Sequence, residues 1–274
     1  MEFLARVMKW GPSLHPHHQF HYYLQVPDHD LIYRYRSGVR TVFSGSEDKG
    51  DIEVRLNSRG YRGLEWAAVA PPDTFRVVVL GDSSTFGLRI DEDSTYPQVL
   101  KRLLEGRLKA ADPDSTGRVE VLNMGIPGYT SLQGARLWET EAKQLKPDFL
   151  VWALGFNDSF MHPDPDRLRI ETLANPLRFW LDGWARKSRL AFTAAWFLDQ
   201  RGRPMHFGPR VGRGDFDDNV RVVLGQAQRA GIGTAVVDLN IPNFYARGVL
   251  EAAAADHQAP FLHVRSLFEE HKAA

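Results

Sequence analysis

The stretch of sequence that decides the fold lies at residues 75–87 and reads FRVVVLGDSSTFG. Its first half is a run of apolar, mostly β-branched residues, which predicts a strand buried on both faces. Gly81 ends this run, and Asp82 and Ser83 follow it directly. Because glycine tolerates sharp changes of backbone direction, the pattern predicts a strand, a tight turn and then the start of a helix.

Short apolar strands alternate with amphipathic helices on the C-terminal side of this stretch. Hydrophobic periodicity predicts strands at residues 119–122, 149–154, 234–239 and 260–264, and helices at residues 96–108, 131–144, 216–230 and 244–256. Strands that alternate with helices indicate right-handed βαβ units and a parallel sheet. Ligands of such sheets bind beyond the carboxyl ends of the strands, so that edge is where we look for a site.

The domain organisation follows from a shift in composition near residue 72. Residues 1–72 are rich in His, Tyr and Arg, and we predict a partly irregular N-terminal extension with a short strand at 52–56, where apolar and charged residues alternate. Residues 73–274 are predicted to form one α/β domain. Within it, residues 163–209 are less regular and rich in Trp and Phe, which indicates an insertion or lid.

Composition excludes several classes of function. The formal net charge is zero because 34 Lys and Arg balance 34 Asp and Glu, which argues against a nucleic-acid-binding protein. The chain has no Cys, so disulfides and thiolate nucleophiles are excluded. The P-loop and the dinucleotide fingerprint are both absent, and we predict no cofactor. The His cluster at residues 15–21 is interrupted by Pro16, so we predict no metal site.

The sequence as written predicts a soluble protein. No run reaches the roughly 18 consecutive apolar residues of a transmembrane helix. Residues 1–10 lack the pattern of a signal peptide, because an acid stands at position 2 and basic residues interrupt the apolar run. Both the cytoplasm and the periplasm stay open.

Polar motifs follow three successive predicted strands. The first contains Asp82 and Ser83; the second, residues 123–129, reads NMGIPGY; the third, residues 155–158, reads GFND. A serine hydroxyl at a strand end can act as a nucleophile, and a glycine N–H or an asparagine amide can stabilise an oxyanion. Each motif taken alone is equally typical of a turn or a helix cap.

Together, in this order, the three motifs resemble the SGNH hydrolases, also called GDSL-type esterases and lipases. The resemblance covers roughly residues 73–274. The preceding residues 56–63, LNSRGYRG, and the later residues 91–97, DEDSTYP, are similar to a bacterial subgroup of that family. Relatives with this lead-in often carry an N-terminal membrane anchor, of which residues 3–7 would be a remnant. Membrane association is expected only through such an anchor.

The resemblance implies a three-layer α/β/α sandwich around a five-stranded parallel sheet of flavodoxin-like strand order. It also implies that Ser83 is the nucleophile. The Ser83 N–H, the Gly128 N–H and the Asn157 side chain would form the oxyanion hole. Asp82 and Asp158 would support these residues.

The base that should activate the serine is missing from the pattern. The family supplies an Asp-x-x-His near the C-terminus, but no His in this chain has an Asp three residues before it. Three explanations are open. The sequence stops short of the motif; His271, oriented by Glu269 or Glu270, is a non-standard base; or the site is degenerate. The sequence Asp28-His29-Asp30 could mimic an acid–histidine pair, although it is also typical of a surface turn.

Taken together, the sequence predicts a serine esterase or deacylase acting on a small-molecule or glycan ester, such as O-acetyl groups on a carbohydrate. The alternative is a catalytically impaired SGNH module that binds a glycan or a protein partner. The acyl group, the alcohol and the oligomeric state stay open.

Overall fold

The computed structural model describes residues 24–43, 50–177, 179–180, 207–239, 244–264 and 266–267. These fall into two units. One unit takes its described residues from Met1–Arg36 and Met161–Gly208, and the other from Ser37–Phe160 and Pro209–Ala274. The predicted domain boundary at residue 72 and the lid at residues 163–209 stay predictions.

The described residues of the two units form the following strands and helices. In chain order the strands are β1 (Gln25–Asp28), β2 (Ile32–Tyr35), β3 (Arg40–Phe43), β4 (Ile52–Arg55), β5 (Thr74–Gly81), β6 (Arg118–Gly125), β7 (Phe149–Ala153), β8 (Met161–His162), β9 (Gly208–Pro209), β10 (Gly233–Asp238) and β11 (Phe261–His263). The α-helices are α1 (Ser83–Phe86), α2 (Tyr96–Ala111), α3 (Ser131–Thr140), α4 (Asp166–Leu173), α5 (Arg213–Arg229) and α6 (Phe244–Asp256). Two 3₁₀ helices lie at Glu92–Ser94 and Ala142–Leu145.

The central sheet of the larger unit has the strand order β11-β10-β7-β5-β6, and each neighbouring pair is parallel. The predicted five-stranded parallel sheet of flavodoxin-like order is therefore confirmed. The chain runs from β5 to β6 on one side and then returns to β7 on the other. The carboxyl end of β5 thus lies at the switch point of the sheet, where such folds bind their ligands.

Apolar packing fixes the position of β5 in the middle of the sheet. Its residues 77–80 are at most 1% exposed. Because side chains alternate along a strand, Val77 and Val79 share one face, where they pack in a cluster with Leu100 and Leu104 of α2. α5 and α6 also pack against the sheet, at β10. Helices therefore flank the sheet, as the fold class requires.

The predicted short strand of the N-terminal extension is confirmed as β4, which pairs antiparallel with β3. The helix predicted at 131–144 is confirmed over Ser131–Thr140 and is wrong over its last four residues. α3 ends at Thr140 because Glu141 leaves the helical region, with φ −142° and ψ −55°, and the chain continues as a 3₁₀ helix.

Arg76, near the start of β5, is fully buried. Its guanidinium donates to the carbonyls of Ala67, Ala68 and Leu145 and pairs with Glu120. Since a buried charge is costly unless it is bonded, these acceptors explain how the side chain is tolerated there. The effect is to hold residues 67–68 against the amino end of the central strand.

Two glycines allow α1 to lie directly on the ends of β5 and β6. A Cβ added at Gly81 would lie 1.8 Å from the Thr85 hydroxyl oxygen. One added at Gly125 would lie 2.6 Å from the Phe86 backbone nitrogen. Neither distance is possible for non-bonded atoms, so a side chain at either position would displace the turn after β5.

We therefore predict that Gly125→Ala destabilises the protein by about 1–3 kcal/mol, the usual cost of overpacking. The matched control is Gly106→Ala on the exposed side of α2, where an added Cβ meets nothing within 4 Å. There the substitution should stabilise by up to about 1 kcal/mol, because alanine favours the helix. Urea unfolding of both variants measures the difference, and equal effects would contradict the close approach.

Candidate active site

Ser83 is the first residue of α1, and only Asp82 separates it from the end of β5. The Asp82 side chain caps this helix, since its Oδ1 accepts the Ser84 N–H at 2.9 Å. Gly87 ends the helix in the left-handed conformation, with φ +78°. Ser83 is half-buried, and neither its hydroxyl nor its N–H has a hydrogen-bond partner among the described residues. As far as the described residues go, both groups can bond a ligand.

The second motif forms a tight loop after β6. Ile126 donates its N–H to the Gly81 carbonyl at 3.1 Å, which ties the loop to the end of β5. Gly128 has φ +84°, a conformation that favours glycine. Arg210 donates to the Gly128 carbonyl at 2.7 Å, whereas the Gly128 N–H has no partner among the residues that the structure describes.

Asn157 joins the three motifs. Its amide nitrogen donates to the Tyr129 carbonyl at 2.9 Å and to Asp82 Oδ2 at 3.3 Å. The side chain is only 5% exposed. The structure therefore brings Asp82, Asn157 and the loop of Gly128 together at one edge of the sheet. Because both hydrogens of the amide already have acceptors, an oxyanion would have to compete for one of them.

Asp158 serves a different purpose from its neighbour. Its carboxylate is fully buried and accepts the N–H of Ser131 at 3.0 and 3.1 Å, together with the Ser131 hydroxyl. Ser131 is the first residue of α3. Asp158 therefore caps α3, since the first N–H groups of a helix need outside acceptors and favour a negative charge. Asp158 therefore fixes the third motif to α3, the helix that follows the second motif.

Asp82 is a buried carboxyl group of the site. Burial raises the pKa of Asp82 to about 6, because the ionised carboxylate loses its hydration. The hydrogen bonds from Ser84 oppose this shift. A carboxyl group beside Asn157 thus changes charge close to neutral pH.

An acid–histidine pair that sequence reasoning missed lies at the same edge of the sheet. His263 Nε2 is 3.4 Å from Asp238 Oδ2, and its Nδ1 contacts the Ser266 hydroxyl. His263 is the last residue of β11 and Asp238 is the last residue of β10. A search for polar residues at the carboxyl ends of the predicted strands, which identified Ser83, could therefore have identified this pair. With strands about 4.8 Å apart, β11 lies roughly 14 Å from β5, which is too far for His263 to contact Ser83 directly.

His29 and its acidic neighbours belong to the smaller unit and form a turn. Asp28 accepts the N–H groups of Asp30 and Leu31 and pairs with Arg34, which holds the chain between β1 and β2. The His29 ring instead lies against the Phe179 ring, 3.7 Å away between centroids. The surface turn is therefore the interpretation that the structure favours over an acid–histidine pair.

The remaining predictions concern His271, metal ligands and membrane-spanning helices. His271 and the His cluster at residues 15–21 lie outside the described residues. Within the described ranges, no three His, Asp or Glu side chains group as metal ligands would. Likewise, no helix in those ranges has the length and apolar character needed to cross a membrane.

The raised pKa of Asp82 predicts a pH-dependent stability. The native state binds this proton more tightly than the unfolded state, so the resulting stabilisation is present below about pH 4 and is lost as pH rises through about 6. Asp82→Asn does not ionise. Relative to this variant, the wild type should lose about 2–3 kcal/mol between pH 4 and 7, measured by urea unfolding. A difference that stays constant with pH would contradict the burial effect.

The solved structures to which the chain is similar include esterases, all at low sequence identity. AlinE4, an SGNH-hydrolase family esterase, is 15% identical with a TM-score of 0.43, over 70% of this chain and 77% of that one. TesA is 18% identical with a TM-score of 0.40, over 68% and 76%. A mutant of Axe2, an acetyl-xylooligosaccharide esterase from Geobacillus Stearmophilus, is 16% identical with a TM-score of 0.42, over 73% and 80%.

Comparison at the level of sequence gives the family. No curated protein matches the chain. The model of the GDSL-like Lipase/Acylhydrolase family matches residues 79–274, which is more than half of the sequence. That range begins within β5 and includes all three polar motifs. The chain therefore belongs to the GDSL-like lipase/acylhydrolase family.

Proposed function

We propose that this protein is a serine hydrolase of carboxylic esters, with Ser83 as its nucleophile. The observation that carries the proposal is the pair of hydrogen bonds made by Asn157, to Asp82 of the first motif and to the Tyr129 carbonyl of the second. These bonds gather three separate strand ends into one site. Family membership supplies the reaction class, the hydrolysis of an acyl ester.

The free groups of the site suit attack by a serine on an ester carbonyl. The Ser83 hydroxyl adds to the carbonyl carbon, and the carbonyl oxygen becomes negatively charged in the tetrahedral intermediate. The N–H groups of Ser83 and Gly128 have no partner in the described part of the chain, and both residues are half-buried. Donors that are fixed before the reaction stabilise such a charge without reorganisation, which is the basis of an oxyanion hole.

Asn157 is the third proposed donor. Its bond to Asp82 is the longer of the two, so that N–H is the one that would turn towards an oxyanion. The bond to Tyr129 would meanwhile keep the amide in place. Asp82 therefore acts as a resting acceptor that orients Asn157 before substrate arrives.

The general base is the part of the machinery that we place outside the described residues. Serine requires a base to accept its proton, and His263 is too far from Ser83 to do so. His271 is the candidate that the sequence offers there, with Glu269 or Glu270 to orient it. We propose small-molecule esters as the substrate class, with O-acetylated carbohydrates as the first class to test.

Removing the Ser83 hydroxyl should abolish ester hydrolysis, because this hydroxyl is the proposed site of acyl-enzyme formation. We expect Ser83→Ala to lose turnover of p-nitrophenyl acetate and labelling by a fluorophosphonate probe. Ser94→Ala, at an exposed serine nearby in sequence, is the control and should retain both. Hydrolysis at equal rates in wild type and Ser83→Ala would remove Ser83 as the nucleophile. A wild type that neither hydrolyses nor is labelled would instead favour the non-catalytic binding module.

Removing the Asn157 amide should lower kcat by about 10²–10³, the usual loss for one oxyanion donor. Asn219→Ala is the matched control, since its amide donates to the Ser131 hydroxyl at 3.0 Å and not to Asp82 or Tyr129. Steady-state kinetics on p-nitrophenyl acetate, with circular dichroism to confirm folding, measures the difference. If the two variants have the same kcat, Asn157 is not an oxyanion donor.

A further inference from the structure

The lead-in segment before the α/β domain places a buried arginine beneath the proposed nucleophile turn. Arg62 belongs to the turn at residues 57–63, where Asn57 Oδ1 accepts the N–H groups of Arg59 and Tyr61 at 3.0 Å each. The Arg62 side chain is only 2% exposed. A guanidinium in such a position requires acceptors, because a buried charge without them is very costly.

Those acceptors are backbone carbonyls at the end of α1 and just after it. Arg62 Nη1 donates to the carbonyls of Phe86, at 3.1 Å, and Gly87. Arg62 Nη2 donates to the carbonyl of Ile90 at 2.6 Å. The guanidinium also lies 5.4 Å from the centre of the Phe86 ring. One side chain thus binds the last carbonyl of α1, which the helix cannot satisfy internally, and two carbonyls of the segment that follows it.

The sequence around these carbonyls makes room for the guanidinium. Gly87 has φ +78°, and a Cβ there would lie 3.1 Å from Arg62 Nη1 and 2.3 Å from the Thr95 methyl carbon. Glycine at this position therefore lets the arginine and Thr95 approach the end of the helix together. Burial lowers the pKa of Arg62, an effect that the nearby Glu92 and Asp91 oppose.

A helix of four residues does not hold its shape through its own hydrogen bonds, because nucleation of a helix is unfavourable. α1 contains only Ser83–Phe86. Its amino end is fixed by Asp82, and its carboxyl end by Arg62. A cation at the carboxyl end also complements the direction of the helix dipole. The conformation of Ser83 therefore depends on a residue from outside the strand and helix that carry it.

We propose that Arg62 is a positioning residue of the nucleophile turn: by binding the carbonyls of Phe86, Gly87 and Ile90, it holds the Ser83 hydroxyl and N–H in the reactive orientation. The effect on catalysis rests on the proposed function. The effect on the conformation of the turn does not, and it can be measured separately.

Arg76 provides a control of the same kind. It too is a buried arginine that binds backbone carbonyls, including those of Ala67 and Ala68 in the segment before β5. It precedes Gly81 by five residues along an extended strand, which is about 16 Å at roughly 3.3 Å per residue. Substitution of Arg76 should therefore cost stability without moving Ser83.

The kinetic test compares Arg62→Met and Arg62→Lys with Arg76→Met and Arg76→Lys, assayed well below the Tm of each variant. We expect Arg62→Met to lower kcat for p-nitrophenyl acetate, and the rate of fluorophosphonate labelling, by about tenfold or more relative to Arg76→Met, because small displacements of reacting groups are costly. KM should change little. Arg62→Lys should recover part of the loss, since its ammonium can bind some of the carbonyls. Equal kcat in the Arg62 and Arg76 variants would overturn the proposal.

Hydrogen exchange tests the positioning role without requiring activity. The N–H groups of Gly87 and Leu88 donate to the Ser83 carbonyl at 3.1 and 3.0 Å, so their protection reports on the turn itself. We expect faster exchange over residues 83–90 in Arg62→Lys and Arg62→Met, and unchanged exchange there in the Arg76 variants. If wild type is inactive but this exchange pattern appears, the proposed function fails and the positioning role stands. If exchange over residues 83–90 is unchanged, the positioning role fails.

Discussion

The close approach of α1 to the ends of β5 and β6 is the constraint on which the rest of the site depends. A side chain at Gly81 would overlap Thr85, and one at Gly125 would overlap the backbone of Phe86. Because both positions lack a side chain, the turn lies directly on two neighbouring strand ends. Ser83 then begins its helix at the switch point of the sheet, within reach of the loops that follow β6 and β7. Asp82, which precedes α1, also accepts a hydrogen bond from Asn157 after β7.

Hydrogen bonding divides the polar groups of this edge into two kinds. Deeply buried ones, such as the carboxylate of Asp158 and the amide of Asn157, are bonded to backbone groups of other loops. They hold the loops in register, and their burial makes any loss costly. The Ser83 hydroxyl and the N–H groups of Ser83 and Gly128 belong to half-buried residues and lack partners in the described part of the chain. Solvent can bond these three groups, and a substrate can replace that solvent. The buried groups therefore hold the loops in place, whereas the half-buried groups are the ones proposed to contact the substrate.

Local patterns in the sequence predicted β4, the five strands of the central sheet, most of the helices around that sheet and the three motifs, because each depends on a few neighbouring residues. The run that became β5 and the glycine after it could be interpreted without any tertiary contact. The parts that escaped prediction are contacts over long sequence separations. Arg62 meets the carbonyls of Phe86 and Ile90, and Arg210 meets that of Gly128, from positions to which no local periodicity points. At the end of α3, the hydroxyl of Tyr61 donates to the Glu141 carboxylate, which is another contact between distant parts of the sequence.

Strand order also limits where a base for Ser83 can come from. β11 is the edge strand, three positions away from β5, so a residue at its end is separated from the proposed nucleophile by roughly 14 Å. An extended chain covers at most about 3.5 Å per residue, so about four residues beyond His263 are needed to cross the ends of β10 and β7. His263 itself instead pairs with Asp238 at the ends of two neighbouring strands, β11 and β10. His271, eight residues further along the sequence, satisfies this minimum.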